Sequence, residues 1–477
     1  MRHLRSAYMN FFEEQLHQHF HLTPTSGQKA LFRKLGRFME DESERSVFIL
    51  KGYAGTGKTS VLDAFIKAAP SMGYTVSLMA PTGRAAKVMN HYTGRYASTI
   101  HRKIYTRKED PGTGSLSFRL QKNKEEETVY IVDEASMISE LGEMGSNGLL
   151  RDLVSYVFEG RNNKLLLIGD EAQLPPVNLP LSPALDLRHM EGYYHARVFG
   201  HTLTEVMRQN AGSGILKNAT DLRGLLEEEE ISVQLVTKGF RDIFRMTSER
   251  IEDGIRYAYD KYGQENTIVL TQSNKNAVLY NQFIRNRINY SESEIDNADI
   301  LMVVKNNYNT LSPESQAGFL ANGEFVKVKR LGREEEMHGF RFLNVTLSLT
   351  DYPDDPEFDT LIILDTLYSP APSLTQEQNQ ALYESVVKDY QWVKSVRERK
   401  KMIREDRYMN ALQVKFAYAL TCHKAQGGQW DAVFIDQYYL REDTQTPEFL
   451  RWLYTALTRG IKEVFLVNFP DRLFPIP

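Results

Sequence analysis

The chain has 477 residues, 42% hydrophobic and 25% charged, with 30 glycines and 17 prolines, which excludes wholesale disorder and collagen-like or linker-dominated chains. At roughly 100–200 residues per domain, that length predicts two to four domains. With 58 basic and 62 acidic residues the net charge is −4, which excludes a histone-like coat and restricts any nucleic-acid contact to a local groove.

Near the start, His17, His19 and His21 alternate and are read as part of a solvated segment rather than a metal site. No uninterrupted apolar stretch marks a secretory signal there. The first third then carries short runs rich in β-branched and aliphatic residues: 46–50 (SVFIL), 75–79 (TVSLM), 128–132 (TVYIV) and 164–168 (KLLLI). Helical-looking stretches separate them. Runs without alternation, spaced by helices, predict parallel strands buried on both faces of an open α/β sheet, with ligands beyond the C-terminal strand ends. A second set at 267–270 (TIVL), 416–420 (FAYAL), 431–435 (DAVFI) and 463–467 (EVFLV) predicts a second parallel sheet. Between these sets the texture changes. Several of the segments 300–304, 323–329, 339–349 and 360–364 alternate apolar and polar residues, as antiparallel strands of a small barrel would.

A long helix is predicted from Ser373, which has capping-box spacing to Gln376, with Leu382, Val386, Val387, Tyr390 and Val393 at helical intervals. Its end mixes Arg397, Arg399, Lys400, Lys401, Arg404 and Arg407 with Glu398, Glu405 and Asp406, the composition of a solvated face. Cys422, the single cysteine, can form no internal disulfide and fits a reducing cytoplasm, so a cytoplasmic location is expected. No run approaches the ~20 apolar residues that span a bilayer, so no membrane contact is expected.

Directly after the first predicted strand, Gly52, Tyr53, Ala54, Gly55, Thr56, Gly57, Lys58 and Thr59 fit the G-x-x-x-x-G-K-[ST] phosphate loop, with Ser60 opening the following helix. Glycines let the backbone curl so that N–H groups face phosphate oxygens, and the helix N-terminus adds partial positive charge. Lys58 is expected on the β- and γ-phosphates and the Thr59 hydroxyl on Mg²⁺. The third run ends in Asp133 and Glu134. One acid must orient toward Mg²⁺ and another must sit near the attacking water, so Asp133 is assigned to the metal and Glu134 to the water. At the end of the fourth run, Gln173 could sense the γ-phosphate. The residues alone thus predict hydrolysis of ATP or GTP.

In their order, GYAGTGKTS, APTGRAAK, STIHR, IVDEASM, IGDEAQLPPV, EVMRQ, ALTCHKAQGGQWD and YTALTRG resemble the superfamily-1 helicases, in particular the RecD-like and Dda-like 5′-to-3′ branch. The resemblance runs from about Gln28 to Val467. It implies two RecA-like parallel-sheet domains with ATP and Mg²⁺ in the cleft between them and single-stranded DNA across their top. It places Gln28 on adenine, and Arg208 and Arg459 as arginine fingers on the γ-phosphate. Such cations stabilise charge on the transferring phosphoryl oxygens only when the cleft closes. Pro81, Thr82, Gly83, Arg84 and His101 would touch the strand in the first domain, and Thr271, Asn274, Thr421, His423, Lys424 and Gln426 in the second. Gly428-Gln429 stands where many of these helicases have a glutamate. Domain boundaries are expected at 1–200 for the first domain and at 201–317 with 410–477 for the second. Residues 318–409 would form an inserted accessory unit of small SH3-like barrel plus long helix, entered through the family's turn at Asn322, Gly323 and Glu324.

The nucleic-acid face also has support from composition. From 81 to 108 the chain carries Arg84, Lys87, Arg95, Arg102, Lys103, Arg107 and Lys108 without a carboxylate, interleaved with Tyr92, Tyr96, His101 and Tyr105. Cations for phosphates and flat rings for bases are what sequence-tolerant single-strand binding requires. Between them and the Asp133 strand, 105–127 centres on DPGTGS and reads as a hairpin. The family carries a strand-separating pin there, with Phe118 as the candidate wedge tip. The expected activity is a DNA-stimulated ATPase moving 5′ to 3′ and opening duplex DNA at single-strand/duplex junctions. An RNA motor of the same superfamily and an ATP-switched DNA-binding subunit stay open as alternatives. A monomer is expected, and a protein partner for the accessory unit stays open.

Overall fold

The computed structural model describes residues 2–109, 116–140, 148–177, 179–207, 212–312, 314–437 and 446–475, with the side chains of 2–10 and 107–118 outside the description. In chain order the first strands are β1 (Ser46–Gly52), β2 (Thr75–Ala80), β3 (Ala97–Thr99), β4 (Tyr105–Glu109), β5 (Leu116–Leu120), β6 (Thr128–Val132), β7 (Lys164–Gly169) and β8 (Arg197–Leu203). Six of them form a parallel sheet in the order β3-β2-β6-β7-β1-β8. Along β1, Phe48 and Leu50 pack into a core with Leu31, Phe32 and Phe38, while Val47 and Ile49 pack into another with Leu150 and Leu153. Both faces are covered, so the strand has no polar side to show in sequence. Each fully buried Phe or Leu contributes ~1.5–3 kcal/mol.

The four predicted runs lie in β1, β2, β6 and β7. The short β3 and the half-buried edge strand β8 add to them. The hairpin reading holds for the backbone: β4 and β5 pair antiparallel from Tyr105 with Leu120 to Glu109 with Leu116. At the N-terminal end, helix Arg2–His19 buries Phe12 and Leu16 under the first sheet, and the His17 ring packs edge-on to Phe32. Among the described residues no cluster of metal-ligating side chains occurs, and no helix is long and apolar enough to cross a membrane.

The remaining strands are β9 (Ile243–Met246), β10 (Thr267–Thr271), β11 (Ile300–Val303), β12 (Phe325–Met337), β13 (Phe340–Leu349), β14 (Phe358–Ile363), β15 (Leu412–Phe416), β16 (Ala419–Thr421), β17 (Trp430–Asp436) and β18 (Gly460–Val467). A second parallel sheet runs β16-β10-β17-β18-β9, and β11 to β15 close a barrel. One expected strand divides. The run 416–420 crosses from barrel to sheet, Phe416 ending β15 and Ala419 opening β16. Buried Asn281 holds the break: Nδ2 donates to the carbonyls of Phe416 (3.1 Å) and Ala419 (3.0 Å), and Oδ1 accepts from the amides of Tyr418 and Ala419. The barrel's first and last strands, β11 and β15, lie outside 318–409, because pairing across β11–β15 closes it.

The single long helix also divides. Thr375, with Gln378, makes the capping box that Ser373 was expected to make, and helix Gln376–Asp389 follows. Ser395 then caps a second helix, Val396–Glu405, which carries the cations of 397–404. Buried Val393 turns the chain between them.

Candidate functional site

The parallel order puts the ends of β6, β7 and β1 side by side, so the phosphate loop, the Asp133-Glu134 pair and the Asp170–Gln173 segment share one rim. Gly57 caps helix Lys58–Ala68 with φ +83°, a conformation that favours glycine, and a Cβ there would lie 2.6 Å from Gln28 Nε2. Gln28 is fully buried. Its Oε1 accepts from the Thr25 amide in a capping box, and its Nε2 donates to the Thr56 carbonyl at 3.1 Å. Lys58 Nζ folds onto the carbonyls of Gly52 (2.6 Å) and Tyr53 (3.0 Å). Ala54 and Gly55 form the middle of the loop, Thr59 is exposed in the first helical turn, and Ser60 follows half-buried.

Two donors fix the Asp133 carboxylate: the Tyr92 hydroxyl on Oδ2 at 2.7 Å and the Glu134 amide on Oδ1 at 2.9 Å. Glu134 takes a left-handed backbone, φ +54°, which turns it out of the strand line. Burial raises its carboxyl above the usual range, Asp133 adds to the shift, and Arg459 and Lys58 oppose it. Burial likewise raises Asp170, opposed by Lys58 and by a hydrogen bond from Tyr454. Gln173 is buried, and its Oε1 has no hydrogen-bond partner among the described residues.

Helix Pro447–Leu457 of the second sheet's side crosses to this rim. Tyr454 Oη donates to Asp170 Oδ2 (2.6 Å) and accepts from the Ala54 amide (2.8 Å). The Leu174 amide donates to Thr455 Oγ1 at 2.9 Å, and Arg451 donates to the carbonyls of Glu171 and Gln173. Just beyond the helix, buried Arg459 reaches Glu134 Oε1 at 3.8 Å. Its guanidinium is braced by the carbonyls of Thr455 and Gly428, both at 3.2 Å. Gly428 is therefore engaged, and a Cβ there would lie 2.5 Å from the Trp430 ring. Arg208 lies outside the described residues. Sequence reading gives no sign of Arg451, Tyr454 or Thr455, although all three belong to or precede the YTALTRG stretch. They stand four to eight residues before Arg459, about one to two helical turns, and that spacing is the signal that was available.

On the other rim, Thr82 caps helix Gly83–Thr93, and Gly427 of the second side abuts it: a Cβ on Gly427 would lie 2.9 Å from Ala85 Cβ and 3.2 Å from Thr82 Oγ1. Pro81 and Thr82 are half-exposed there. Thr271 and Thr421 are register partners at the ends of β10 and β16, and Asn274 opens the helix after β10. His423 is exposed. Lys424 is recessed, and burial lowers it to about 8. Gln426 instead turns into the seam, where its Nε2 donates to the Leu174 carbonyl at 2.6 Å.

The basic stretch 81–108 is less free than its composition implies. Arg84 is sandwiched between the rings of Phe325 and Trp430, each 4.3 Å away. Lys87 pairs with Asp351 (3.0 Å) and Lys103 with Glu125 (2.7 Å). His101 is packed near Tyr105 and Phe319, and burial lowers it to about 4, so it is neutral. Phe118 on β5 pairs by backbone with Arg107 on β4, and the side chain of Phe118 lies outside the described residues.

Residues 25–233 match the AAA domain family and residues 416–467 the UvrD-like helicase C-terminal domain. The ATP-dependent RecD2 DNA helicase of Deinococcus radiodurans is 34% identical over 209 residues, 43% of this chain and 25% of that protein. The ATP-dependent DNA helicase dda of Enterobacteria phage T4 is 30% identical over 205 residues, 42% of each chain. A solved structure of Pif1 helicases at forked dsDNA covers 96% of this chain and 94% of its own at 15% identity, with a TM-score of 0.46. The matched stretch thus spans a quarter of the first curated relative and well under half of the second.

Proposed function

We propose that the chain is a superfamily-1 helicase, an ATP-driven motor that moves 5′ to 3′ along single-stranded DNA and separates the duplex ahead. The Arg459–Glu134 ion pair across the cleft carries this reading. It joins a cation from one sheet to an acid from the other beside the phosphate loop, so hydrolysis and closure become one event. The residues fit the nucleotide. Gly57 leaves the loop backbone open where a Cβ would collide, and Gln173 Oε1 is buried without a partner among the described residues.

Thr59 and Asp133 would hold Mg²⁺, and the phosphate loop from Gly52 to Ser60 would hold the nucleotide. When bound, Mg²⁺-ATP supplies the phosphoanhydride and a metal that neutralises its charge. Lys58 would exchange the loop carbonyls of Gly52 and Tyr53 for phosphate oxygens. Glu134 is placed to take a proton from water at its carboxylate, and the raised basicity that burial confers suits that task. Arg459 pairs with Glu134 across the cleft and would bring a cation toward the transferring phosphoryl group as the cleft closes. Gln28, anchored on Thr56, would read adenine. Thr82, Gly83, Thr271, Asn274, Thr421, His423 and Lys424 would line the strand, with Arg208 as a second finger. The DNA preference rests on the RecD2 and Dda likenesses.

The test is strand displacement with ATP and Mg²⁺ on duplexes tailed at 5′ or at 3′, with Lys58→Ala as control. Displacement from the 5′ tail alone, lost in Lys58→Ala, is the expected result. Displacement from the 3′ tail alone would overturn the polarity. Displacement from neither, despite DNA-stimulated hydrolysis, would favour an ATP-switched binding subunit, and activity only on RNA tails would shift the substrate.

A further inference from the structure

The Tyr454 ring is buried against Tyr53, Ala172 and Ala219, in packing that a phenylalanine would fill equally well. Its hydroxyl sits in the same buried place and needs partners there. It has two, and both belong to the other side of the cleft. It donates to Asp170 Oδ2 at 2.6 Å, a distance short enough for a charge-assisted bond, and accepts from the phosphate-loop amide of Ala54 at 2.8 Å. Asp170 is fixed in turn, since its Oδ1 accepts from the Ala172 amide at 3.0 Å. The other bonds of helix Pro447–Leu457 to this rim, from Arg451 and Thr455, go to the peptide groups of 171–174. Among the described contacts, Tyr454 is the group on this helix that reaches the phosphate loop.

Resting on the ATPase reading above, we infer that the Tyr454 hydroxyl is a positioning group for hydrolysis. Through it, Ala54 in the phosphate loop and Asp170 at the end of β7 are tied to the helix that delivers Arg459 to Glu134. Tyr454 stands five positions before Arg459, so a shift of the helix at the hydroxyl displaces the guanidinium as well. Opening the cleft must break both hydroxyl bonds together. The strap therefore reports the state of the phosphate loop to the second sheet and sets the register in which Arg459 meets the acid.

DNA-stimulated ATP hydrolysis by the full chain tests this through kcat and KM for ATP in wild type, Tyr454→Phe, Asp170→Asn and the double variant, with Lys58→Ala as baseline. Tyr454→Phe keeps the ring and Asp170→Asn the shape, so both are expected to fold, with far-UV circular dichroism as the check. Tyr454→Phe is expected to lower kcat roughly tenfold or more while KM for ATP stays within about twofold, because the bond acts on the closed, reacting state. The double variant is expected to be no slower than the slower single, since the two groups act as one unit. Wild-type turnover with Tyr454→Phe within about twofold of it would overturn the strap alone, as would single losses that multiply in the double variant. Wild-type turnover no higher than Lys58→Ala would overturn the ATPase reading and the strap with it.

Discussion

Glu324 shows how far one side chain can depart from what its neighbours in sequence suggest. It is only 3% exposed, lies against Gly83 of the first sheet's side, and leaves Oε2 without a hydrogen-bond partner among the described residues. Burial pushes its carboxyl up to about 8. Asp351 adds to the shift, and Arg84, the Gly83 amide and Lys87 oppose it. The folded protein thus keeps a proton that the unfolded chain releases near 4.5. That contribution to stability is complete below the unfolded value and is lost as pH rises toward about 8. Thermal unfolding of the wild type is therefore expected to fall in midpoint from about pH 6 to 9, and Glu324→Gln to fall less steeply. Parallel slopes would assign the titration to another group. In sequence, Glu324 reads as part of a turn motif, because its partners Gly83 and Arg84 lie far away along the chain.

At the scale of elements, what was legible depended on where the pattern came from. Strands β1, β6 and β7 show in sequence because burial on both faces leaves them mostly apolar, and the phosphate loop shows because its chemistry fixes glycines at set spacing. Strand β8 mixes polar and apolar residues at a sheet edge, so no period marks it. The run 416–420 hid a boundary, since nothing local announces that Asn281 will bind the backbone on both sides of it. Cross-cleft contacts such as Tyr454 with Ala54 join residues whose separation carries no periodic signal.

Gly427 tests the meeting of two such elements. Its φ is +75°, and a Cβ would press on Ala85 and Thr82 at the cap of helix Gly83–Thr93. Gly427→Ala combines backbone strain with a clash and is expected to cost the closed arrangement about 1–3 kcal/mol. Fluorescence anisotropy with labelled single-stranded DNA should then show affinity weakened by at least about fivefold. Unchanged affinity would mean that the two turns do not grip the strand together.

At the scale of the whole molecule, the proposed motor would keep its two tasks apart. Force would arise where the sheets close on each other, at Arg459 and Glu134, and that machinery makes no described contact with the β4–β5 hairpin. The hairpin is rooted firmly in the first sheet's side: Tyr105 Oη donates to Asp152 Oδ2 at 2.7 Å, and the Gln121 amide donates to the Ile104 carbonyl at 2.9 Å. A rigid root is what a wedge requires, because a hinged one would yield before base pairs part. Base pairs resist with stacking of about 1.4 kcal/mol per step. Phe118→Ala is accordingly expected to slow strand displacement by at least about fivefold while DNA-stimulated hydrolysis stays within about twofold. Tyr105→Phe, which removes the root bond to Asp152, should reproduce the pattern more weakly. If both variants lose displacement and hydrolysis in equal proportion, the hairpin belongs to the grip on the translocated strand, and the separation of duplex must then come from the cleft cycle itself.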